Sequence, residues 1–281
     1  MRSGVVAIVG RPNVGKSTLV NAMVGEKVSI VSNKVQTTRR QVRGILTTDD
    51  AQVVFVDTPG VIKPRTLLGE RSNASAYSAT DGVDFSLFVL DATAPLGAGD
   101  TLIASRLPKD TFVVVNKSDR ARRDQMLEQL KMAGELEFRD YFPVSARTGE
   151  GVDELVEAII ERLPEGPMLY PEEEVTDQDE HRWVAELVRE QLLAVTSKEV
   201  PHSVATRVTE WEWPRIRVEI LVERDSQKGI VVGKGGSVLK EVGIKVREQL
   251  PPEVFLDLFV KVDKNWQQRS DSLDRLGFVT E

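Results

Sequence analysis

One octapeptide near the start of the chain constrains the fold more than any other feature. Residues 10–17 read GRPNVGKS, which matches the pattern G-x-x-x-x-G-K-[S/T]. An apolar run precedes the octapeptide, and a helical pattern at Lys16–Val24 follows it. A glycine-rich loop between a strand and a helix presents backbone amides to a phosphate group, at a helix N-terminus whose dipole favours an anion. The octapeptide therefore predicts a phosphate-binding loop in which Lys16 reaches the β- and γ-phosphate oxygens and Ser17 offers its hydroxyl to Mg²⁺.

Further apolar runs indicate a parallel sheet around this loop. They cover residues 5–9, 53–56, 87–90 and 112–115. Short, continuous apolar runs are typical of strands buried on both faces of a sheet. Between them lie helical patterns, and another follows at residues 152–163. The sequence therefore predicts an open α/β sheet with helices on both faces and with ligands bound at the carboxyl ends of the strands.

The acidic charge of the chain is concentrated in one segment. The chain has 281 residues, enough for about two domains, and a formal net charge of -7. Residues 165–180 hold seven acidic and no basic side chains, whereas residues 1–164 and 181–281 are each neutral. Prolines combined with like charge are typical of an exposed linker. We predict domains at 1–164 and 181–281 joined by this acidic linker, with a solvated loop inside one domain as the alternative.

The composition excludes several classes of site and of protein. Because the chain has no Cys, it can form no disulfide, thiolate zinc site, iron–sulfur cluster or cysteine nucleophile, and its two His are too few for a histidine-rich metal site. No apolar run approaches the ~18 residues of a membrane-spanning helix, and no signal peptide is visible. We therefore expect a cytoplasmic protein. Overall acidity does not exclude nucleic-acid binding, because a binding footprint is a local patch.

Polar motifs that follow the predicted strands indicate a guanine-nucleotide site. Asp57 could hold Mg²⁺ through water, and the amide of Gly60 could sense a γ-phosphate. In the tetrapeptide at residues 116–119, Asp119 could accept hydrogen bonds from guanine N1–H and N2–H₂, a donor pair that adenine lacks. Lys117 could lie along the base plane, and Asn116 could tie this loop to the phosphate loop. Further along, a backbone amide at Ser145-Ala146 could contact guanine O6.

The second half of the chain carries a different pattern. A helical pattern at residues 183–193 precedes strand-like runs at 204–212 and 216–223, and a third strand is predicted at 254–262. Between the second and third strands, residues 233–236 read GKGG, with a helix predicted on each side. This order resembles a K-homology (KH) RNA-binding domain of the bacterial type, a small type II α+β fold.

In KH domains the G-x-x-G loop clamps the backbone of about four unpaired nucleotides. Residues 226–247 carry five basic side chains against one acidic side chain, which gives the local positive footprint that RNA needs. A tight helix–helix turn with a solvated basic face is the alternative interpretation. The predicted RNA-binding residues are Lys228, Val232, Gly233, Lys234, Gly235, Gly236 and Lys240.

Residues 1–164 resemble a translation-factor-class GTPase with the Ras-like P-loop fold, in the branch of bacterial assembly GTPases. The resemblance implies that residues 36–40 form the first switch segment, with Thr38 reaching Mg²⁺ in the GTP state and Thr37 as the fallback. Val61 stands where Ras-like enzymes carry a glutamine, and valine cannot orient an attacking water by hydrogen bonding. We therefore expect slow intrinsic hydrolysis of GTP to GDP and phosphate.

Asn13 is a candidate to complete the site, because related GTPases with Asn at this position use K⁺ near the β–γ bridge. A loop residue that only hydrogen-bonds the neighbouring switch is the alternative. The predicted catalytic residues are Lys16, Thr38, Gly60 and Asn13, and the predicted metal ligands are Ser17, Thr38 and Asp57. The predicted GTP-binding residues are Gly10, Arg11, Pro12, Asn13, Val14, Gly15, Lys16, Ser17, Thr18, Asp57, Gly60, Asn116, Lys117, Asp119, Ser145 and Ala146.

A GTPase domain followed by a KH domain, ending in RLGF at residues 275–278, resembles a family of bacterial ribosome-assembly GTPases over essentially the whole chain. The resemblance implies GTP or GDP with Mg²⁺ as cofactors and single-stranded RNA near the 3′ end of small-subunit ribosomal RNA as partner. It also implies maturation of the small ribosomal subunit and peripheral contact with the inner face of the cell membrane, although no anchor is visible. We expect a monomer. Residues 71–81, rich in Ser, Asn and Ala, resemble the family less than their surroundings do.

Two other classes of function stay open from the residues alone. One is a P-loop kinase or ATPase with an unrelated tail, against which the motif at residues 116–119 argues. The other is a non-hydrolysing GTP-dependent module whose C-terminal domain binds protein, which Val61 leaves open. A preference for GTP over ATP would exclude the first class, and measured turnover with RNA binding would exclude the second.

Overall fold

The computed structural model describes residues 1–278, so the last three residues of the predicted KH domain, 279–281, lie outside the described residues. The chain divides into two compact units, each with its own core. The first unit comprises Met1–Val31, Thr38–Lys63 and Ser72–Asp177. The second comprises Ser32–Thr37, Pro64–Arg71 and Gln178–Glu281.

The first unit contains a six-stranded sheet in the order β2-β3-β1-β4-β5-β6. The edge strand β2 is antiparallel to β3, and the other pairs are parallel. The four predicted strands are confirmed as β1, β3, β4 and β5, whereas no bounds were predicted for β2 or β6. The strands are β1 Arg2–Val9, β2 Val42–Thr47, β3 Ala51–Asp57, β4 Phe85–Asp91, β5 Phe112–Asn116 and β6 Asp140–Pro143.

Helices cover both faces of this sheet, as predicted. Alternate residues of each strand point to opposite faces, so Leu87 packs in the core with the α1 and α5 side chains and Phe88 packs in the core with α3 and α4. The predicted helix Lys16–Val24 is confirmed with the same bounds. The helices are α1 Lys16–Val24, α2 Leu67–Ser78, α3 Ala98–Ala104, α4 Arg123–Gly134 and α5 Val152–Arg162.

The acidic segment at residues 165–180 contains no buried residue, as expected for an exposed linker, but it is more than a connection between the two units. Most of it, through Asp177, belongs to the first unit. The side chain of Gln52, fully buried on β3, accepts hydrogen bonds from the amides of Leu169 (2.7 Å) and Tyr170 (2.9 Å) and donates to the carbonyl of Tyr170 (3.0 Å). The amide of Ile45 on the edge strand β2 donates to Val175 O at 2.8 Å. The segment is held because its backbone satisfies polar groups at this edge of the sheet.

The second unit contains the predicted order of helix, two strands, helix, tight turn, helix and strand, together with two short helices, α7 and α10, that were not predicted. Its three strands lie in the order β7-β8-β9, with β7 antiparallel and β9 parallel to β8. Ile216, Val218 and Ile220 alternate along β8 and are buried. The elements are α6 Glu180–Val195, α7 Val200–Ser203, β7 Ala205–Glu212, β8 Arg215–Val222, α8 Asp225–Val232, α9 Ser237–Arg247, β9 Phe255–Val262 and α10 Ser270–Arg275.

Candidate functional site

The loop at residues 10–17 joins β1 to α1, where the octapeptide predicted it. Gly15 precedes the first residue of α1 with φ 99°. A Cβ atom at this position would lie 2.3 Å from Nδ2 of Asn116, so a side chain would both strain the backbone and collide. The ammonium of Lys16 donates to the carbonyls of Gly10 and Arg11, each at 3.1 Å. The loop is therefore wrapped around a buried cation, and Thr18 follows in the first turn of α1.

Burial sets the ionisation of two side chains at this site. It lowers the pKa of Lys16 to about 8, and the negative charge of Asp57 partly opposes that shift. Burial also raises the pKa of Asp57, while Lys16 and the hydroxyls of Ser17, Ser29 and Thr38 oppose the rise. Each charge is thus destabilised by loss of water and stabilised by the other.

The three predicted metal ligands lie together. Ser17 Oγ and Thr38 Oγ1 are 2.8 Å apart, and Thr38 Oγ1 donates to Asp57 Oδ2 at 3.3 Å. The other carboxylate oxygen, Asp57 Oδ1, is buried without a hydrogen-bond partner. A set of hydroxyl and carboxylate oxygens with an unsatisfied buried oxygen fits Mg²⁺, which takes oxygen ligands and keeps several waters. No cluster of three or more His, Asp or Glu that could hold a metal occurs within residues 1–278.

The fallback ligand Thr37 points elsewhere. Its hydroxyl donates to Lys34 O at 2.8 Å, and its carbonyl accepts from the guanidinium of Arg189 on α6. Arg189 is 2% exposed and also pairs with Glu186. All of these residues belong to the second unit, whereas Thr38, the preferred ligand, lies beside Ser17 and Asp57.

Gly60 lies against the phosphate loop. A Cβ atom there would meet the backbone nitrogen of Pro12 at 2.6 Å, so only glycine permits this approach. The preceding Thr58 is anchored by a 2.6 Å hydrogen bond to Ile8 O. Val61 is partly buried in the core shared with α3 and α4. The position after Gly60 therefore holds an apolar packing residue.

The loop at residues 116–119 is tied to the phosphate loop, as predicted for Asn116. The Nδ2 of Asn116 donates to Val14 O at 2.9 Å, and its Oδ1 accepts from the amides of Lys117 (2.8 Å) and Ala146 (3.0 Å). Asp119 Oδ1 accepts from Ser145 Oγ at 2.8 Å, which orients the carboxylate.

Both amides that were predicted near guanine O6 have partners within the protein. The amide of Ser145 donates to Glu150 O at 2.8 Å, and that of Ala146 donates to Asn116. The nucleotide site thus lies at the carboxyl ends of the parallel strands and comprises residues 10–17, 57–60, 116–119 and 145–146. The phosphate loop is in direct contact with residues 116–119, which we call the base loop.

Asp100 also supports this site and was missed by the sequence reasoning. Its Oδ2 accepts from Arg11 NH1 at 2.9 Å and from the amide of Gly97 at 2.9 Å, while its side chain is 5% exposed. The phosphate loop is therefore fastened to the start of α3. An acidic residue in the first turn of a helix was visible in the sequence, but its pairing with Arg11 depends on the tertiary fold.

The predicted RNA-binding turn lies between α8 and α9. Gly235 and Gly236 have φ of 61° and 81°, and the space beside each α-carbon is open. Lys228, Lys234 and Lys240 are exposed, as is the apolar side chain of Ile230. Gly233 is enclosed by Val238, and Val232 is half-buried. An open backbone surrounded by cations suits close approach of a phosphate chain.

The second unit also contains Pro64–Arg71, which the sequence did not associate with it. Leu68 is buried with Leu221, Trp266 and Leu273 in the core of this unit. Arg71 pairs with Asp274 at 2.6 Å and also contacts Ser270 and Phe278 O. Residue 71 of the atypical segment 71–81 therefore holds residues 270–278 in place.

Comparison with known proteins gives two family matches. Residues 5–117 match the MMR_HSR1 family, described as 50S ribosome-binding GTPase, and residues 199–267 match the KH domain family KH_2. No helix within the described part of the chain is long and apolar enough to cross a membrane.

Two crystal structures match over the whole chain. One is Era in complex with MgGDPNP and nucleotides 1506–1542 of 16S ribosomal RNA, with 36% identity, a TM-score of 0.95 and 100% of each chain covered. The other is a variant of Era from Aquifex aeolicus bound to GDP and AlF₄⁻, with the same identity, TM-score and coverage. The site geometry, the two domain families and this full-length likeness agree, and the chain belongs to the Era family of GTPases.

Proposed function

We propose that the chain is a GTP-hydrolysing switch that binds single-stranded RNA near the 3′ end of small-subunit ribosomal RNA and acts in assembly of that subunit. The proposal rests on the presence of two sites in one chain. One is a phosphate loop joined to a loop suited to guanine, and the other is an open GKGG turn between two helices. The relative that matches over the whole chain is bound to 16S ribosomal RNA, whereas the description of the matched GTPase family names the 50S ribosome. We infer the small subunit as partner, because the likeness to that relative includes the RNA-binding half of the chain and the GTPase family match does not.

Selection of guanine rests on Asp119. Its carboxylate is oriented by Ser145, and two acceptor oxygens match the two donors on the guanine edge. Adenine would leave this acceptor pair unsatisfied, which costs more than the lost attraction alone. This argument favours a GTPase over a P-loop kinase or ATPase.

The phosphates of GTP would bind to the backbone amides of residues 10–17 and to Lys16. Mg²⁺ would be held by the hydroxyls of Ser17 and Thr38 and, through water, by Asp57, and when bound it neutralises charge on the phosphate oxygens. Lys16 supplies a positive charge with little water around it, so its attraction for phosphate is strong. Gly60 lies against the phosphate loop, and its amide is the donor that would detect the γ-phosphate.

Slow intrinsic turnover is part of the proposal. Val61 is packed in a core and offers no hydrogen bond to an attacking water. Asn13, with φ 63°, is the candidate that would bring K⁺ to the site. The test compares GTP hydrolysis in K⁺ and Na⁺ buffers of equal ionic strength, for the protein and for Asn13→Ala. We expect stimulation by K⁺ that Asn13→Ala abolishes; equal rates in both salts would contradict the role of K⁺.

RNA would bind at residues 233–236, with Lys228, Lys234 and Lys240 on its phosphates. The test uses a labelled single-stranded oligonucleotide with the sequence of the 3′ end of small-subunit ribosomal RNA. Gly235→Asp places a negative charge on the open turn and should abolish binding while RNA-free GTP hydrolysis continues.

Gly82→Asp is the matched control, because Gly82 also has a left-handed backbone (φ 72°) with open space around it but lies in the first unit. We expect Gly82→Asp to bind RNA like the unmodified protein. Equal RNA binding by Gly235→Asp, or no binding by the unmodified protein, would refute the RNA-binding role and favour a protein-binding module.

The cellular location and the oligomeric state are also proposals. We infer a monomer in the cytoplasm that contacts the inner face of the cell membrane peripherally, as the family resemblance implies. Sedimentation with vesicles of anionic lipid tests membrane contact, and analytical ultracentrifugation tests the monomer. Protein that stays in the supernatant at low salt would contradict the membrane contact.

A further inference from the structure

The ion pair between Asp91 and Lys117 connects the phosphate loop and the base loop to the carboxyl end of β4. Asp91 is the last residue of β4 and Asn116 is the last residue of β5, and the two are directly opposite in the parallel register. The carboxylate of Asp91 therefore lies beside the base loop. Lys117 Nζ donates to Asp91 Oδ2 at 2.5 Å and to Asn13 O at 2.6 Å. A single ammonium thus bridges β4, the base loop and the phosphate loop.

The two loop residues on this bridge have costly backbone conformations. Lys117 has φ 72° and Asn13 has φ 63°, both in the left-handed region that non-glycine residues rarely adopt. Such conformations persist where surrounding contacts hold them. The hydrogen bond from Lys117 Nζ to Asn13 O joins the two residues to each other, so a contact that holds Lys117 also holds Asn13.

Asp91 is built to hold that ammonium. Its Oδ1 accepts from the amide of Thr93 at 2.9 Å and from Thr93 Oγ1 at 2.6 Å, which leaves Oδ2 aimed at Lys117. The side chains of Asp91 and Lys117 are only 19% and 21% exposed. Burial alone would raise the pKa of Asp91, but hydrogen bonds from Lys117 and Thr93 outweigh it and keep the pKa below its ordinary value. The carboxylate is therefore charged at neutral pH.

We propose that Asp91 is a positioning residue for nucleotide binding, which holds the Lys117 ammonium against the carbonyl of Asn13 and so fixes the base loop to the phosphate loop. The inference rests on the proposed nucleotide-binding roles of Lys117 and Asn13. A nucleotide spans both loops, so loops that are already fixed to each other lose less conformational freedom on binding. The Asn116–Val14 hydrogen bond is a second link, so loss of Asp91 weakens binding without abolishing it.

The test is a double-mutant cycle with a fluorescent GDP analogue. Asp91→Asn keeps the shape of the side chain and removes its charge. In the unmodified background we expect about tenfold weaker binding, the scale of one charged hydrogen bond, and mainly faster release. In a Lys117→Met background the same change should alter binding by about twofold or less, because Asp91 acts through Lys117.

Two further variants and a stability measurement complete the test. Asp140→Asn is the control: it removes the same charge from an exposed ion pair, with Arg139 at 3.3 Å, at the start of β6 and should leave GDP binding unchanged. Asp91→Glu keeps the charge and should retain more affinity than Asp91→Asn. Thermal unfolding without nucleotide identifies any variant that fails to fold. If Asp91→Asn fails to fold, the GDP affinity of Asp91→Glu is compared with that of the unmodified protein instead.

The outcomes separate this inference from the proposed function. Equal weakening by Asp91→Asn in both backgrounds would mean a general structural role, and no weakening in the unmodified background would overturn the inference. Either result leaves guanine-nucleotide binding by the unmodified protein intact. Failure of the unmodified protein to bind GDP would refute the proposed function itself.

Discussion

Raising the pH from about 7 to about 8.5 should weaken GDP binding through one side chain, Lys16. Burial lowers the pKa of its ammonium to about 8 in the nucleotide-free protein. Bound phosphates favour the charged form and raise this pKa again, so nucleotide binding takes up a proton above pH 8. Affinity must therefore fall as the pH rises.

The magnitude follows from the charged fraction of Lys16. With a pKa of about 8, this fraction falls from about nine-tenths at pH 7 to about one-quarter at pH 8.5. If only the charged form binds phosphate strongly, the dissociation constant for GDP rises about fourfold over this range. A solvent-exposed lysine, whose ammonium has a pKa of 10.5, would give almost no change.

The assay is titration of the protein with a fluorescent GDP analogue at constant ionic strength. The range stops at about pH 8.5 so that the guanine base stays neutral. Lys16→Arg is the control, because arginine keeps its charge throughout this range and its affinity, although lower, should not depend on pH. A flat profile for the unmodified protein, or the same slope in Lys16→Arg, would refute the assignment of a lowered pKa to Lys16.

Three further predictions concern the two sites. Gly15→Ala should weaken GDP binding more than about tenfold and lower the unfolding temperature, because its Cβ would lie 2.3 Å from Asn116 Nδ2. Calorimetry measures the unfolding temperature, and Gly134→Ala is the control, since open space surrounds Gly134 and the change should be neutral or stabilising. Asp119→Asn should weaken GDP binding by about a hundredfold and favour xanthosine diphosphate in a competition assay, because an amide offers one acceptor and one donor. Lys234→Gln should reduce the slope of log affinity for RNA against log salt concentration by about 0.7, as expected for one phosphate contact with a single strand; an unchanged slope would place Lys234 outside the interface.

In the first sheet, the sequence predicted the bounds of the four inner strands, which are buried on both faces, but not those of the two edge strands. Strands such as β5 read as uninterrupted apolar runs, because both of their faces are covered. The edge strand β2 is half-exposed and contains Arg43 and Gly44, and β6 has four residues of which none is fully buried. Neither gives a periodic signal, and both are held in the sheet by pairing with a neighbour.

The motifs predicted the types of residue at the site but not all of their partners. The adjacent Thr37 and Thr38 have the same chemistry, and only the fold places one beside Ser17 and Asp57 and the other beside Lys34. The composition of the acidic segment indicated its exposure but not its attachment to the sheet, because that attachment uses backbone groups. Contacts such as Arg11–Asp100 join residues far apart in sequence, so no local spacing identifies them.

The proposed function is a switch, and for a switch we propose that RNA and GTP favour the same state of the protein. The most direct test measures the affinity of the full chain for the ribosomal RNA oligonucleotide with a non-hydrolysable GTP analogue and with GDP. We predict at least about fivefold tighter RNA binding with the GTP analogue, and RNA must then increase the affinity for the analogue relative to GDP by the same factor. Equal RNA affinity in the two nucleotide states would contradict the switch and leave two independent binding sites on one chain.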